Sequence, residues 1–431
     1  MEALGTDFGD FIEKFEACED LERQLVMFHS KQEITDFVKE HLNVDTDVKN
    51  DNLANRLKDE GNKLFMKSKD SSALEKYNEA LFHASRNGTT LSLIMANRSA
   101  VFYKQGKFEQ CEKDIKMALA WNYPNKMKYK LLDRRAKCLY KLGRFNDMME
   151  DIETVKKLLE NEDLSKDKVD KILADLNNLV RTKSKQKAVK LQPSKKTVCS
   201  SVNNNFSGFS ASMRMNYSPG RGRFMVADRD VGVGEVLGAE DPVASSLLPS
   251  WSNSLCTVCF KSAEEAPLPC LTCCKARFCS EECWREGEEG SHRLVCGVRG
   301  ELGDILKQVK GSESCPEYYR LCVMVMGRHS VEDMVEIMEM VENRKELDMA
   351  EVPVQKESDL RSLFNLVSND EERNLQTDFW IFLTVIYFLH VLEKKKMFTD
   401  LSMSKSDHLS RQKIMIGLLM IRTLRVSKLF N

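Results

Sequence analysis

Small and apolar residues recur with a common spacing between about residues 52 and 160. Three segments each carry a small residue that is followed, at offsets of 12, 16 and 19 positions, by further small or apolar residues. The three series are Gly61, Ala73, Tyr77 and Ala80; Ser99, Cys111, Ile115 and Ala118; and Ala136, Met148, Ile152 and Val155. Small residues at such positions let two helices pack closely, and Gly106 and Gly143 follow where a turn between paired helices is expected. The pattern predicts three antiparallel helix pairs.

The rest of the chain also carries mostly helical patterns. Residues 1–50 predict a short helical lead-in, and residues 301–431 contain four apolar segments with helical spacing. The longest apolar run, Phe379 to Leu392, is interrupted by Thr384 and His390. A membrane span needs roughly 20 residues, so a buried core helix is favoured. Apolar residues alternate around Phe224 and Val236, which predicts two or three short strands.

Composition agrees with a mainly helical protein. Of 431 residues only 20 are Gly and 9 are Pro, and the formal net charge of −1 excludes an overall basic, histone-like character. The acidic N-terminus lacks the basic and apolar regions of a signal peptide, which predicts a cytoplasmic or nuclear protein with reduced thiols. Seven Lys or Arg and no acid lie between Arg181 and Lys196. This stretch favours a solvated linker over a nuclear-import or nucleic-acid-binding segment.

Eight metal-ligating residues lie within a short cysteine-rich stretch. They form four spaced pairs: Cys256 and Cys259, Cys270 and Cys273, Cys279 and Cys283, and His292 and Cys296. Tetrahedral zinc takes four thiolate or imidazole ligands, so eight ligands predict two zinc ions. The spacing leaves open which pairs share an ion. The stretch carries seven Glu against five Lys or Arg, which opposes binding to nucleic-acid phosphates.

The order of these pairs resembles the MYND zinc finger. In that family the pairs interleave, which implies one ion on Cys256, Cys259, Cys279 and Cys283 and the other on Cys270, Cys273, His292 and Cys296. Cys274 is then an extra residue, and Trp284 stands directly after Cys283 instead of the usual Trp before the His. Both sites are closed by protein ligands, so the resemblance implies structural rather than catalytic zinc.

The helix pairs resemble tetratricopeptide repeats. NRSAVFYKQGKF and RRAKCLYKLGRF resemble the subclass that binds the acidic C-terminal tails of cytosolic heat-shock chaperones. In that subclass Lys and Asn on the first helices hold carboxylates. The matching positions, called here the clamp residues, are Lys58, Asn62, Asn97, Lys130 and Arg134. Their amide and cationic groups suit charge-assisted hydrogen bonds to carboxylates, whereas the alternative is ordinary solvated surface.

The sequence PGRGRFMVADRDVGVGEVL resembles the opening strands of a SET domain. The resemblance implies that the turn with Gly220, Arg221, Gly222 and Arg223 lies against S-adenosylmethionine. Such strands followed by a MYND finger and a helical insert are typical of the SET and MYND domain family of lysine methyltransferases. The expected order is a helical lead-in at 1–50, repeats at 51–160, a charged helix and basic linker at 161–205, the first part of a split SET domain at 206–250, the MYND finger at 251–300 and the helical SET insert at 301–431.

The family also has a later Asn-His-Ser-Cys segment, a catalytic tyrosine and a further cysteine cluster, and no matching motif stands in this sequence. We therefore expect a C-terminally truncated form of the member that carries the repeats. The expected family activity is S-adenosylmethionine-dependent methylation of lysine side chains in proteins. The alternative is a non-catalytic adaptor that binds chaperone tails or peptides through its repeats and its finger. Neither function involves a membrane.

Overall fold

A computed structural model describes residues 9–40, 49–160, 164–182, 203, 208–218, 222–239, 245, 247, 251–296, 329–342, 375–398 and 409–427. The chain divides into two compact units. The repeat unit comprises residues 47–193 and 249–287, and the terminal unit comprises residues 1–46, 194–248 and 288–431. Most described residues are helical, in agreement with the composition.

Three helix pairs form the repeat array of the repeat unit. Their helices are α4 (Asp51–Met66), α5 (Asp70–His83), α6 (Thr90–Lys104), α7 (Phe108–Ala120), α8 (Lys128–Leu142) and α9 (Phe145–Glu160), after α1 to α3 of the terminal unit. Each first helix packs on the second helix of its pair, and neighbouring pairs pack on one another. The twelve residues of the sequence pattern are all buried. A further helix, α10 (Lys166–Thr182), packs on α8 and α9.

The turns within the helix pairs use left-handed backbone. Gly106 and Gly143 have φ of 74° and 73°. Ser68, seven residues after Gly61, has a φ of 54° at the equivalent turn of the first pair. Glycine adopts this region without steric cost, whereas Ser does not. Because all three turns share this left-handed conformation, glycine is favoured at each of them, and it stands at two of the three.

The terminal unit combines helices from both ends of the sequence. It contains α1 (Gly9–Glu16), α2 (Leu21–Ser30), α3 (Gln32–Glu40), α12 (Ser291–Val295), α13 (Val331–Glu342), α14 (Leu375–Lys394) and α15 (Arg411–Ser427). Phe15 and Phe28 pack against Phe382, with ring centroids 5.0 and 5.5 Å away. The predicted core helix is confirmed, because α14 is buried from Ile381 to Leu392. No helix in the described ranges is long and apolar enough to cross a membrane.

The strands of the described ranges form two small antiparallel sheets. β1 (Met213–Ser218) pairs with β2 (Gly222–Ala227), and β3 (Leu268–Pro269) pairs with β4 (Arg277–Phe278). The strand predicted around Phe224 is β2, whereas the region around Val236 contributes an isolated bridge between Phe209 and Gly238. β4 is followed by α11 (Glu281–Glu289). The basic stretch after Thr182 and the first apolar segment after residue 301 lie outside the described residues.

Candidate functional site: cysteine clusters and clamp residues

Local backbone bonds shape the turns that carry the cysteines. Cys256 N donates to Lys261 O over 2.8 Å, and Phe260 N donates to Cys256 O over 3.1 Å. Phe260 has a φ of 58°, a left-handed conformation that is rare for a large side chain. The tight turn brings the thiols of Cys256 and Cys259 to the same side of the chain.

The eight predicted ligands gather into two clusters. Within each cluster the candidate ligand atoms lie within 4.8 Å of one another: Cys256, Cys259, Cys279 and Cys283 in the first, and Cys270, Cys273, His292 and Cys296 in the second. These are the interleaved sets that the MYND resemblance implied and that spacing had left open. Cys274 belongs to neither set.

The donor sets suit zinc in chemistry and in size. Cys279 Sγ lies 3.3 Å from Cys259 Sγ and 3.8 Å from Cys283 Sγ. Four sulfurs at about 2.3 Å from one ion are separated by about 3.8 Å, so a small adjustment accommodates the metal. No cysteine in the described ranges is part of a disulfide. The first cluster could hold zinc through four thiolates, and the second through three thiolates and an imidazole.

Further hydrogen bonds support the second cluster. The backbone N–H groups of Thr272 and Cys273 point at Cys270 Sγ over 3.2 and 3.3 Å, and such donors stabilise a thiolate. Lys395 Nζ donates to the carbonyls of Arg293 and Cys296 over 3.1 and 2.8 Å. The role of Lys395, at the end of α14, was not predicted because the contact spans about a hundred residues of sequence.

Two clamp asparagines are in direct contact across the first helices of the array. Asn97 Nδ2 donates to Asn62 Oδ1 over 2.9 Å, and the hydroxyl of Tyr77 donates to the same oxygen over 2.7 Å. Burial, together with the charge of Asp59, raises the pKa of Tyr77 to about 12, so its hydroxyl keeps the donating proton. The Asn62 Nδ2 group lies 3.5 Å from Asp59 Oδ1, a long and weak bond that a bound carboxylate could replace.

The three clamp cations differ in how strongly the fold holds them. Lys58 Nζ donates to Asn55 Oδ1 over 2.8 Å. Arg134 NH1 donates to the Ala96 carbonyl over 2.9 Å and to Ser99 Oγ over 2.7 Å, which ties α8 to α6. Lys130 is exposed, with Nζ 5.9 Å from the centroid of the Tyr129 ring. Lys130 is therefore the clamp cation whose replacement disturbs the fold least.

The candidate cofactor turn is described only in part. Gly220 and Arg221 lie outside the described residues. Gly222 and Arg223 begin β2 and pair with Ser218 and Tyr217 of β1. β1 and β2 are thus antiparallel neighbours, and the sequence that links them carries the motif that the SET resemblance assigned to the cofactor.

No protein-family profile matches the chain. Among solved structures, the chain is similar to the first TPR of Spaghetti (RPAP3) bound to HSP90 peptide SRMEEVD, with 22% identity, a TM-score of 0.26 and coverage of 31% of this chain and 97% of that one. It is also similar to the Sgt2 TPR domain from Aspergillus fumigatus, with 17% identity, a TM-score of 0.27 and coverage of 36% of this chain and 97% of that one.

Curated relatives match more than half of the chain. The protein-lysine N-methyltransferase SMYD4 of Pongo abelii is 29% identical over 271 residues, and that of Homo sapiens is 29% identical over 273 residues. Each match covers 57% of this chain and 34% of the relative, so the chain spans about a third of the length of these relatives. SMYD4 of Gallus gallus is 27% identical over 267 residues. Over 57% of its length the chain is thus similar to protein-lysine N-methyltransferases named SMYD4, in agreement with the family that its motifs resemble.

Proposed function

We propose that the protein acts in S-adenosylmethionine-dependent methylation of lysine side chains in other proteins. The observation that carries this proposal is the match over 57% of the chain to relatives named as protein-lysine N-methyltransferases. The antiparallel pairing of β1 with β2 supports it, because these strands and the sequence between them resemble the cofactor-binding strands of a SET domain. In this proposal Gly220 and Gly222 allow close approach of the backbone, while Arg221 and Arg223 flank the cofactor.

Calorimetric titration of the zinc-loaded chain with S-adenosylmethionine tests the cofactor proposal. We expect stoichiometric binding that weakens in the Gly220→Val variant, whose added side chain blocks the approach to the turn. Gly88→Val, in a loop of the repeat array, is the control, because only Thr90 N lies within 4 Å of an added Cβ there. No binding to the wild-type chain, with about two zinc ions still present, contradicts the assignment of the cofactor turn and leaves the adaptor function below.

A second candidate function is recruitment of a protein through its acidic C-terminal tail. The observation that favours it is the Asn62–Asn97 contact, with Lys58 and Arg134 contributed by α4 and α8. Asn62 and Asn97 can each donate to a carboxylate oxygen, and Lys58, Lys130 and Arg134 supply positive charge. The same groups suit the two carboxylates of an acidic C-terminal residue. This function is compatible with the first, since recruitment can deliver a protein substrate, and the tails of heat-shock chaperones are the proposed class of partner.

Binding of the peptide SRMEEVD, followed by fluorescence anisotropy, tests the recruitment proposal. We expect Lys130→Ala to weaken binding by about tenfold, because it removes one charge-assisted hydrogen bond. Lys141→Ala is the matched control, since Lys141 is another exposed lysine of α8. Amidation of the peptide C-terminus should weaken binding further. Equal affinities for the two lysine variants, or for the free and amidated peptides, contradict the proposed carboxylate site.

We also propose that the protein resides in the cytoplasm and the nucleus. The described cysteines support this, because none of them forms a disulfide and seven of them lie in the two candidate metal clusters. Fluorescence imaging of the tagged protein with compartment markers tests it, and localisation to a secretory compartment would contradict it.

A further inference from the structure

The cysteine-rich segment, residues 251–287, packs against the second helix of the second repeat pair within the repeat unit. Lys116 Nζ, on α7, lies 2.6 Å from Glu281 Oε2 at the start of α11. At the end of α7, the Trp121 ring lies 5.6 Å from the Trp284 ring, measured between centroids. An ion pair and an aromatic contact thus join the same two helices, and the aromatic pair adds stabilisation beyond the area that it buries.

The same segment also contacts the second helix of the first pair. The guanidinium of Arg277 lies 4.1 Å from the centroid of the Phe82 ring, within cation–π range. Asn78 Nδ2, one turn earlier on α5, donates to the carbonyls of Glu264 and Glu265 over 3.0 and 3.2 Å. The segment therefore bridges α5 and α7, the second helices of two neighbouring pairs.

A buried arginine joins both helices to the segment. Arg98 of α6 is fully buried and makes a two-bond ion pair with Asp114, at 2.8 and 2.6 Å. Its third nitrogen, NH1, donates to Asn78 Oδ1 over 2.7 Å and to the carbonyl of Pro267 over 3.0 Å. Burial raises the pKa of Asp114 while Arg98 opposes that shift, as expected of an ion pair removed from water.

The third repeat pair contains the same ion pair without the segment. Arg135 and Asp151 stand 37 residues after Arg98 and Asp114 and make the same two-bond contact. The Arg135 side chain is 24% exposed, whereas that of Arg98 is 0% exposed. The fold of the repeat explains the ion pair itself. The bond from Arg98 to the carbonyl of Pro267 is the contact that the docked segment adds.

The first cysteine cluster holds the residues that make these contacts. Arg277 stands two residues before Cys279, Glu281 lies between Cys279 and Cys283, and Trp284 follows Cys283 directly. Thr257 N, between the other two cysteines, donates to Arg277 O over 2.8 Å. A metal that fixes the four sulfurs therefore also fixes the surface that faces α5 and α7.

We propose that zinc on Cys256, Cys259, Cys279 and Cys283 keeps the cysteine-rich segment docked on α5 and α7, and that the segment is a metal-dependent support of the repeat array. The surface with Arg277, Glu281 and Trp284 then serves an internal contact and does not bind peptides from other proteins. This inference rests on zinc binding at the first cluster. It requires neither methyl transfer nor peptide binding.

Hydrogen exchange followed by mass spectrometry of the full chain tests the inference. The Cys259→Ser variant removes one ligand of the first cluster, and Cys274→Ser is the matched control, because Cys274 belongs to neither cluster. We expect Cys259→Ser to lose one of two zinc ions and to speed exchange in α5 and α7 by about tenfold, with α9 unchanged. Unchanged exchange in α5 and α7 after loss of that zinc overturns the proposal, and so does retention of both ions by Cys259→Ser.

A pair of tryptophan variants tests the contact while all eight ligands stay in place. Trp284→Ala should speed exchange in α7 at normal zinc content. Trp251→Ala is the control, since Trp251 belongs to the same segment but is 54% exposed. Equal exchange in the two variants overturns the proposal. Hydrogen exchange and zinc content are both measured without any peptide. A failure of SRMEEVD to bind the chain therefore does not change what these two measurements say about the docked segment.

Discussion

At the scale of single residues, the first helix pair departs from the other two at its turn. Ser68 has a φ of 54° where Gly106 and Gly143 have similar positive angles. Left-handed backbone costs an L-residue roughly 1–2 kcal/mol, whereas glycine adopts it freely. Because Ser68 is exposed, this cost is not balanced by burial of its side chain.

We therefore expect Ser68→Gly to raise the free energy of unfolding of the repeat array by about 0.5–1 kcal/mol. This value is the relief of backbone strain minus the cost of ordering glycine, which has more conformational freedom in the unfolded chain. The reciprocal change, Gly106→Ala, should destabilise it by about 1 kcal/mol through strain at φ 74°, since nothing lies within 4 Å of the added Cβ. Urea denaturation of each variant gives the free energy of unfolding. A loss of stability in Ser68→Gly, or none in Gly106→Ala, would show that the turn backbone is not under the expected constraint.

At the scale of elements, the sequence predicted the helix pairs because the two helices of a pair and the turn between them lie within about 35 residues of sequence. Gly61 illustrates the close packing: a Cβ at this position would lie 2.7 Å from the Tyr77 ring. The interleaved metal sets followed from the MYND resemblance, whereas spacing alone left the pairing open. Sequence also did not predict that the cysteine-rich segment packs on α5 and α7. That contact depends on Asn78, Arg98 and Trp121, which carry no local signal of a partner about 160 to 190 residues away.

At the scale of the whole molecule, the two ends of the sequence share one core in the terminal unit. His29 of α2 stacks on His390 of α14, with ring centroids 5.7 Å apart. Burial lowers the pKa of His29 to about 4. The positive charges of His390, Lys413 and Lys39 also lower this pKa, whereas the negative charge of Glu393 raises it. Burial also lowers the pKa of His390, although its bond to the Ile386 carbonyl opposes the shift.

These two histidines should make the terminal unit sensitive to acid. Since their pKa values are lower in the folded chain than in the unfolded chain, the unfolded chain binds more protons as the pH falls below about 6.5. Stability is then lost progressively from pH 6.5 towards pH 4, and we expect His29→Gln to reduce the loss. Thermal unfolding at pH 7 and pH 5 measures the effect, and NMR titration gives the pKa of His29 directly. A His29 pKa near 6.5 would contradict the buried stack.

The sequence by itself determined the features that arise within a short length of chain: the repeat period, the turn glycines, the eight candidate metal ligands and the buried apolar helix. Each is encoded by the spacing of residues that are near neighbours in the chain, and the physics of one helix or one turn is enough to interpret it. Only the tertiary structure decided that α1 to α3 share a core with α13 to α15 and that Arg98 holds the loop at Pro267. These contacts join distant segments whose local patterns fit many partners, so shape and hydrogen bonding in the folded chain select among them.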